Sequence, residues 1–437
     1  MRAYMAVAIL ILFISTTAFG LEEARGSSDV KAPLPEIAGF SDYARRLFHT
    51  HPDIKSLDAS LKAVKNVPAR AYSLSDPEIS FGLMSVPLGS YSFSEEGMTQ
   101  KTVEVTQKFP APGKRGLMKQ IAEDNVEIQS ALIPEKRLEL IEKVSILFLE
   151  LEYLQKARLV VKYNTSVMEG FVKVALAKYT VGAGLQQDVL HAQTEVSKMS
   201  AYLLELEERA GIVTANLLLL ADLPEGTDLD RVRLPKYQIP PGGVEELEAL
   251  AEGGRPLFSS LRSRIERAEK NVKLSRKDML PDYMVSLTYG QRDDIPVTKD
   301  DLASGMLTLS VPLWSNSRQK RKIAEDYMRV EEAKEMYNSE KQRLRIAIAE
   351  LTAAESHKAK ILAVYDEGLL QQASQTVDAA MTAYQVNKVD FLTLVTNQVT
   401  LFNYGIKRDQ INFQHKASIV RLMRVLGEMP TEVANVE

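Results

Sequence analysis

The side chains that could do chemistry in this sequence are few and scattered. Its five histidines include one close pair, His49-x-His51, and two imidazoles without a third ligand do not make a zinc site. The chain has no cysteine, which excludes thiolate metal centres, cysteine nucleophiles, disulfides and a lipid on an N-terminal cysteine. Gly113-Lys114 has the look of a phosphate loop. The upstream glycine is missing, however, and Arg115 stands where serine or threonine would hold magnesium. Val181-Gly182-Ala183-Gly184 lacks the third glycine and the preceding strand of a dinucleotide-binding turn. Fifteen methionines invite a soft-metal reading, yet they are dispersed, and methionine ordinarily fills gaps in cores. Catalysis, a resident metal and an organic cofactor are therefore not expected.

With chemistry set aside, charge and hydropathy patterning carry more. The formal net charge is −4, mildly acidic, and gives no reason to expect nucleic-acid binding. Residues 1–20 read as a signal peptide. Arg2 supplies a basic start, Ala6 to Ile14 an apolar core, and Ala18-Phe19-Gly20 a small-x-small cleavage signal. Beyond residue 20 no apolar run approaches the roughly 20 residues that a membrane helix needs. If the mature chain crosses a membrane, it must do so as a β-barrel, the other structure that satisfies every backbone polar group in lipid.

The chain is also written twice. His51-Pro52-Asp53-Ile54 lines up with Arg255-Pro256-Leu257-Phe258, an offset of 204. Ile121-Ala122-Glu123-Asp124 recurs as Ile323-Ala324-Glu325-Asp326, an offset of 202, and Tyr179-x-Val181 as Tyr384-x-Val386, an offset of 205. Landmarks in one order with so small a drift mark an internal duplication. The expected division is a first repeat over 21–221, a linker over 222–254, a second repeat over 255–427 and a tail over 428–437.

Each repeat reads as a helix, two strands, a long helix and a returning helix. The opening helix of the first repeat is expected over about 41–71. The strands are expected at 78–86 and 101–109, then at 282–290 and 305–313. All four alternate at period two, with Ile79, Phe81 and Leu83 opposed to Ser80 and Gly82, and Leu307 and Leu309 opposed to Thr308 and Ser310. Phe109, Tyr283, Tyr289 and Trp314 sit at or near strand ends, where membrane barrels carry aromatic girdles. Helices are expected over 114–178 and 317–383, returning over 186–220 and 391–426. At 1.5 Å per residue, 65 residues extend about 100 Å and must lie against partners of similar length. Leu140, Leu147, Leu154 and Val161 recur every seven residues, with Val144 and Leu151 beside them, a coiled-coil spacing. Pro134 is expected to kink or break the first long helix. The linker, rich in proline and glycine, reads as irregular and wrapped outside the helices.

Four strands cannot close a barrel, since the smallest membrane barrels have about eight. Two copies would close a lumen filled by side chains, whereas three would give twelve strands and a water-filled channel. The expected fold is thus mainly α with membrane β: an internally duplicated helical barrel beneath a 12-stranded barrel completed by a homotrimer.

The chain resembles the outer-membrane efflux proteins, the TolC-type channel-tunnels, over nearly its whole mature length. The resemblance is carried by the duplication and by the motifs Tyr179-Thr-Val-Gly182-Ala-Gly-Leu-Gln-Gln-Asp188 and Tyr384-Gln-Val-Asn387-Lys-Val-Asp-Phe-Leu392. It implies an outer-membrane location, a periplasmic tunnel, and docking to a periplasmic adaptor and an inner-membrane pump. Ser80-Phe-Gly-Leu-Met-Ser-Val-Pro87 and Phe109-Pro-Ala-Pro-Gly-Lys-Arg115 are similar to the heavy-metal branch, whose pump is of the resistance-nodulation-division type. An organic-compound efflux duct or a protein-export duct of the same fold is the alternative, and a periplasmic coiled-coil adaptor a more distant one. The resemblance places a gate at the two helical turns, with Tyr179, Gly182, Asp188, His191, Tyr384 and Lys388 as candidates. Acidic pore positions of the family fall on Thr393 and Thr396 here. Asp188 is expected to pair with Lys388 across tips, and Asp188 and His191 to face the lumen.

Overall fold

The computed structural model describes residue 37 and residues 39–229, 232–293 and 300–434. The expected signal peptide and the last three residues of the tail lie outside them. The chain divides into residues 1–38 and 39–437, and all of its described helices and strands lie in the second unit.

The opening helix is three helices: α1 (Phe40–Thr50), α2 (Pro52–Lys65) and α3 (Val67–Tyr72). Pro52 is the cause of the first break. It holds His51 in an extended conformation (φ −62°, ψ 126°), and His51 then caps α2 by accepting the Asp53 N–H on Nδ1 at 3.2 Å. The histidine pair of the sequence is thus split between a helix end and a cap.

Strands β1 (Glu78–Met84) and β2 (Gln100–Phe109) follow, then α4 (Lys114–Ser130), α5 (Leu132–Thr180) and α6 (Gln186–Leu220). The second repeat runs α7 (Val244–Gly254), α8 (Pro256–Lys277), β3 (Asp282–Gln291), β4 (Leu302–Ser310), α9 (Gln319–Val364), a π-turn at Tyr365–Leu369, α10 (Leu370–Gln385) and α11 (Phe391–Leu426), before a short α12 (Thr431–Ala434).

Several boundaries differ from the sequence reading, among them the start of β4, which pairs from Leu302 onward. Strand β1 stops at Met84 because Ser85 turns left-handed (φ 57°), and β4 stops at Ser310, ahead of Pro312, which has no N–H for the ladder. The first long helix breaks at Ala131, so that Pro134 falls in the first turn of α5, where a missing N–H costs nothing. The linker is not irregular throughout. Residues 244–254 form α7, whose start is fixed by the Gly243 N–H bonded to Glu246 Oε2 at 2.9 Å.

Helices α5 and α6 lie against each other on matched sevenfold stripes. Leu140, Leu154, Val161, Met168 and Ala175 are buried along α5, with Leu147 half-buried among them, and Ala192, Met199, Leu206 and Val213 along α6. Asn164 on α5 and Gln398 on α11 are both buried and bonded to each other at 2.7 Å. One satisfied polar pair in an apolar seam admits one register and penalises its neighbours. The repeated acids are buried in both halves: Asp124 on α4 meets Lys270 of α8 at 2.5 Å, and Asp326 on α9 bonds Ser275 of the same helix. Helix α8 is therefore held by one copy of the motif on each side. A core of Leu247, Ala251, Phe258, Leu261, Ile348 and Leu426 ties α7, α8, α9 and α11 together.

The sheet faces and the helical tips

The four strands form one antiparallel sheet in the order β1-β2-β3-β4. Its register puts Phe81 opposite Val103, Val103 opposite Tyr289, and Tyr289 opposite Ala303. One face therefore carries Ile79, Phe81, Val105, Leu287, Leu307 and Leu309, and the other Ser80, Thr102, Glu104, Thr106, Ser286 and Thr308. At the centre of the sheet, on β2 and β3, exposure is inverted relative to a soluble sheet, while β1 and most of β4 are exposed on both faces. Phe81 is 76% exposed and Leu307 64%, whereas Thr106 is 7% exposed and Ser286 5%. Thr106 and Ser286 share a hydrogen bond at 2.8 Å, and Thr106 also donates to Glu104 at 2.9 Å. Among the described residues no helix packs across the apolar face. Strands β1 and β4 leave both edges open, so the barrel is not closed by one chain.

The strand-end aromatics occupy both ends of the sheet. Phe109 and Tyr283 face each other across β2 and β3 with stacked rings 5.3 Å apart, at the end nearest the helices, and Trp314, 75% exposed, follows β4 at that same end. Tyr289 lies at the opposite end, where its hydroxyl bonds Asp301.

Gly113-Lys114 is the joint between sheet and helix. Gly113 takes φ +88°, which a residue without Cβ adopts freely, and so turns the chain from β2 into α4. Lys114 is 5% exposed, with its ammonium 2.9 Å from both Asp278 and Asp282, and Asp282 also accepts the Ala111 N–H at 2.7 Å. Burial alone would lower the Lys114 pKa; the two carboxylates outweigh it and hold the ammonium above its ordinary value. Lys114→Ala is expected to cost about 1–3 kcal/mol, read as a lower melting temperature in detergent, because the two carboxylates are half in water. The stability linked to the raised lysine pKa is fully present below the unfolded lysine pKa, near 10, and is lost as pH rises through the raised value.

At the other end of the long helices the two turns are built alike. At Val181-Gly182 the chain turns left-handed on Gly182 (φ +72°), whose N–H bonds Tyr179 O at 3.0 Å, while the Ala183 N–H bonds Lys178 O at 2.8 Å. Asn387 repeats this (φ +57°), with its N–H on Tyr384 O at 3.2 Å and the Lys388 N–H on Ala383 O at 2.9 Å. Both are double-bonded helix ends that require a left-handed residue, and glycine and asparagine are the two that tolerate it best.

The side chains around the turns are not alike. Tyr384 is 5% exposed, packed on Phe391 with ring centres 5.4 Å apart, whereas its repeat partner Tyr179 is 44% exposed. Lys178 lies 3.9 Å over the Tyr384 ring and bonds both Tyr384 O at 2.8 Å and Asn387 Oδ1 at 2.7 Å, so one ammonium ties the first turn to the second. Half-buried Asp188, in the first turn of α6, bears on the same tyrosine. Burial first, and the Asp188 charge second, push the Tyr384 phenol above its ordinary pKa. Thr393 donates its N–H to the capping carboxylate of Asp390 at 2.9 Å, and its side chain, like those of Thr396, His191 and Lys388, is exposed.

Among the described residues Asp188 and Lys388 form no ion pair within the single chain. The cation brought to the centre of the tips is Lys178, which the sequence motifs did not single out. The signal for it was the equivalence of Gly182 and Asn387, since the asparagine that makes a left-handed turn also offers a carbonyl to a neighbouring cation.

No protein-family model matches the sequence, and no curated protein matches it. Solved structures do. The outer-membrane channel OprN shares 14% identity over 93% of this chain and 96% of its own, with a TM-score of 0.76. VceC, an outer membrane protein of Vibrio cholerae, shares 19% identity over 88% of this chain and 95% of its own, with a TM-score of 0.72. CusC, described for its folding and transmembrane channel formation, shares 12% over 89% of this chain and 91% of its own, with a TM-score of 0.74. The chain has the fold of these outer-membrane channels, the TolC-type fold that its repeat and tip motifs resemble. At such identities the likeness is one of fold.

Proposed function

We propose that the chain is one protomer of a homotrimeric outer-membrane channel, twelve strands in lipid and a helical tunnel in the periplasm. It conducts substrate passively outward from a periplasmic adaptor and an inner-membrane pump of the resistance-nodulation-division type. The observation that carries this is the inverted sheet. Its apolar face stands exposed with no helix across it, Thr106 and Ser286 at the centre of its polar face are shielded, and both edges await a neighbour. Lipid is the medium in which that arrangement is stable, and a closed barrel the form that leaves no unpaired edge. Phe109, Tyr283 and Trp314 on one side and Tyr289 on the other then mark the two interfaces with water.

Adaptor docking at the tips is supported by the side chains there. Val181 is 77% exposed, Leu185 65%, Val386 60% and Leu392 48%, apolar positions in an otherwise polar end. Heavy-metal cations are the proposed cargo, on the resemblance of the Ser80–Pro87 and Phe109–Arg115 motifs to the metal branch. Deletion of the gene, scored for tolerance to copper, silver, zinc, cobalt and cadmium beside dyes and detergents, decides it. Sensitivity to organic compounds alone would replace the metal by an organic cargo.

The gate is assigned to the tips, with Asp188 of one protomer linked to Lys388 of the next, Asp188 and His191 facing the lumen, and Lys178 bracing the two turns within each protomer. Three exposed links at about 0.2–1 kcal/mol each amount to roughly 0.6–3 kcal/mol, a 3- to 150-fold change in the open-to-closed ratio. Asp188→Ala combined with Lys388→Ala is expected to raise open probability in planar bilayers by a factor in that range. An unchanged conductance record would remove both residues from the gate.

A further inference from the structure

Methionine ordinarily fills gaps in a core, but Met284 and Met306 stand where there is no core. Both lie on the polar face of the sheet. Met284 is opposite Lys108 on β2 and Thr308 on β4, and Met306 is opposite Ser286. The two methionines are therefore diagonal neighbours on one face, about 7–8 Å apart along the backbone, a span that two flexible thioether arms close readily. Met306 is 65% exposed and Met284 half-buried. An apolar side chain held open on a polar face is not accounted for by packing.

The charges around the pair favour a cation. Lys108, the ammonium nearest to Met284 in register, is engaged by the carboxylate of Glu78 on the far side of β2. Glu104 lies on the same face, joined to the pair's surroundings through Thr106 and Ser286, and among the described residues no lysine or arginine forms an ion pair with it.

We propose that Met284 and Met306 form a two-thioether site on the lumen face that takes soft monovalent cations, Cu(I) or Ag(I), in transit. The assignment deepens, and rests on, the reading of the chain as a channel. Thioether sulfur is neutral and polarizable and selects soft d10 ions over hard or borderline divalent ones. Two neutral ligands hold such an ion weakly, and the Glu104 carboxylates raise its local concentration without fixing it. That is what a stepping site requires, and the ion leaves in the oxidation state in which it entered.

Silver nitrate in chloride-free buffer is the probe, applied to the detergent-solubilised trimer carrying 13C-methyl methionine. Ag(I) is expected to shift the ε-methyl signals of Met284 and Met306, identified by their loss in Met284→Leu and Met306→Leu, while Zn(II) shifts neither. The double leucine variant keeps apolar bulk on the strands, so folding and potassium conductance are retained, but silver affinity falls by about 10-fold or more. If the double variant does not assemble, Met306→Leu alone, at the more exposed position, is expected to show the same loss. Silver shifts confined to other methionines, or affinity unchanged in the leucine variants, would overturn the site. A trimer that binds silver at this pair yet conducts nothing in bilayers would support the site and strike the channel reading. One that conducts with no silver response strikes the site alone.

Discussion

Leu307→Arg is expected to remove the protein from the outer membrane, whereas Thr308→Arg, one residue further along, leaves it there. Leu307 faces Val285 near the middle of β4, on the apolar face, and is 64% exposed. An arginine at the midplane of a membrane barrel costs about 2–4 kcal/mol, so three copies would cost the assembly roughly 6–12 kcal/mol. That is comparable with the whole stability of a folded domain, about 5–15 kcal/mol. Thr308 faces the other way, opposite Met284, and an arginine there meets water. The contrast between consecutive residues is the useful part. In a soluble sheet with an exposed apolar face, Leu307→Arg would improve solubility and cost little. Membrane fractionation and migration of the unboiled trimer distinguish the cases. A Leu307→Arg protein that fractionates and migrates as the parent does would end the barrel reading.

How much of this could be read in the sequence depends on range. Strand alternation and sevenfold spacing are local patterns, and both sheet faces and the α5 stripe follow them. The matching stripe on α6 was equally present, at Ala192, Met199, Leu206 and Val213, but alanine and methionine carry a weaker periodic signal than leucine. Breaks set by proline were legible in kind and not in position: Pro134 announces an interruption, and the chain makes it at Ala131, where the proline can then sit in a first turn. The π-turn at Tyr365–Leu369 had a trace in the drift of the repeat offset from 202 to 205. The second repeat holds extra residues between its landmarks, and a turn with one residue more than an α-turn absorbs part of the excess. Edge-on packing of Tyr365 against Tyr404, with ring centres 6.0 Å apart, and the Arg408–Asp366 bond at 2.8 Å hold it there. At the tips, the turn residues were legible from their type, whereas the Lys178 contacts were not. They depend on how two hairpins some 205 residues apart are placed side by side, and no local pattern encodes that.

The duplication makes a further prediction that the structure sharpens. Ile54 and Phe258 occupy equivalent positions and are both buried, at 6% and 0% exposed. Their surroundings differ. Phe258 is the hub of a core shared by α7, α8, α9 and α11, edge-on to Tyr337 with ring centres 5.6 Å apart. Phe258→Ala is expected to cost about 3–5 kcal/mol, and Ile54→Ala about 2–5 kcal/mol, with the spread set by how far each site can collapse. Four helices converge on Phe258, so its cavity has little room to close and its loss belongs at the upper end. Phe258→Leu, which fills most of the volume, should recover more than half of the loss. The consequence travels in one direction. Asp278 caps the C-terminal end of α8 at the turn that leads into β3 and, with Asp282, anchors Lys114, so loosening α8 disturbs the joint beneath the sheet before it disturbs the tips. Thermal melting of the detergent-solubilised trimer should therefore fall steeply in Phe258→Ala, while hydrogen exchange at the Gly182 and Asn387 turns stays as in the parent. Equal loss of protection at both ends would mean that the helices melt as one unit, and that the core around Phe258 does not hold the joint separately from the tips.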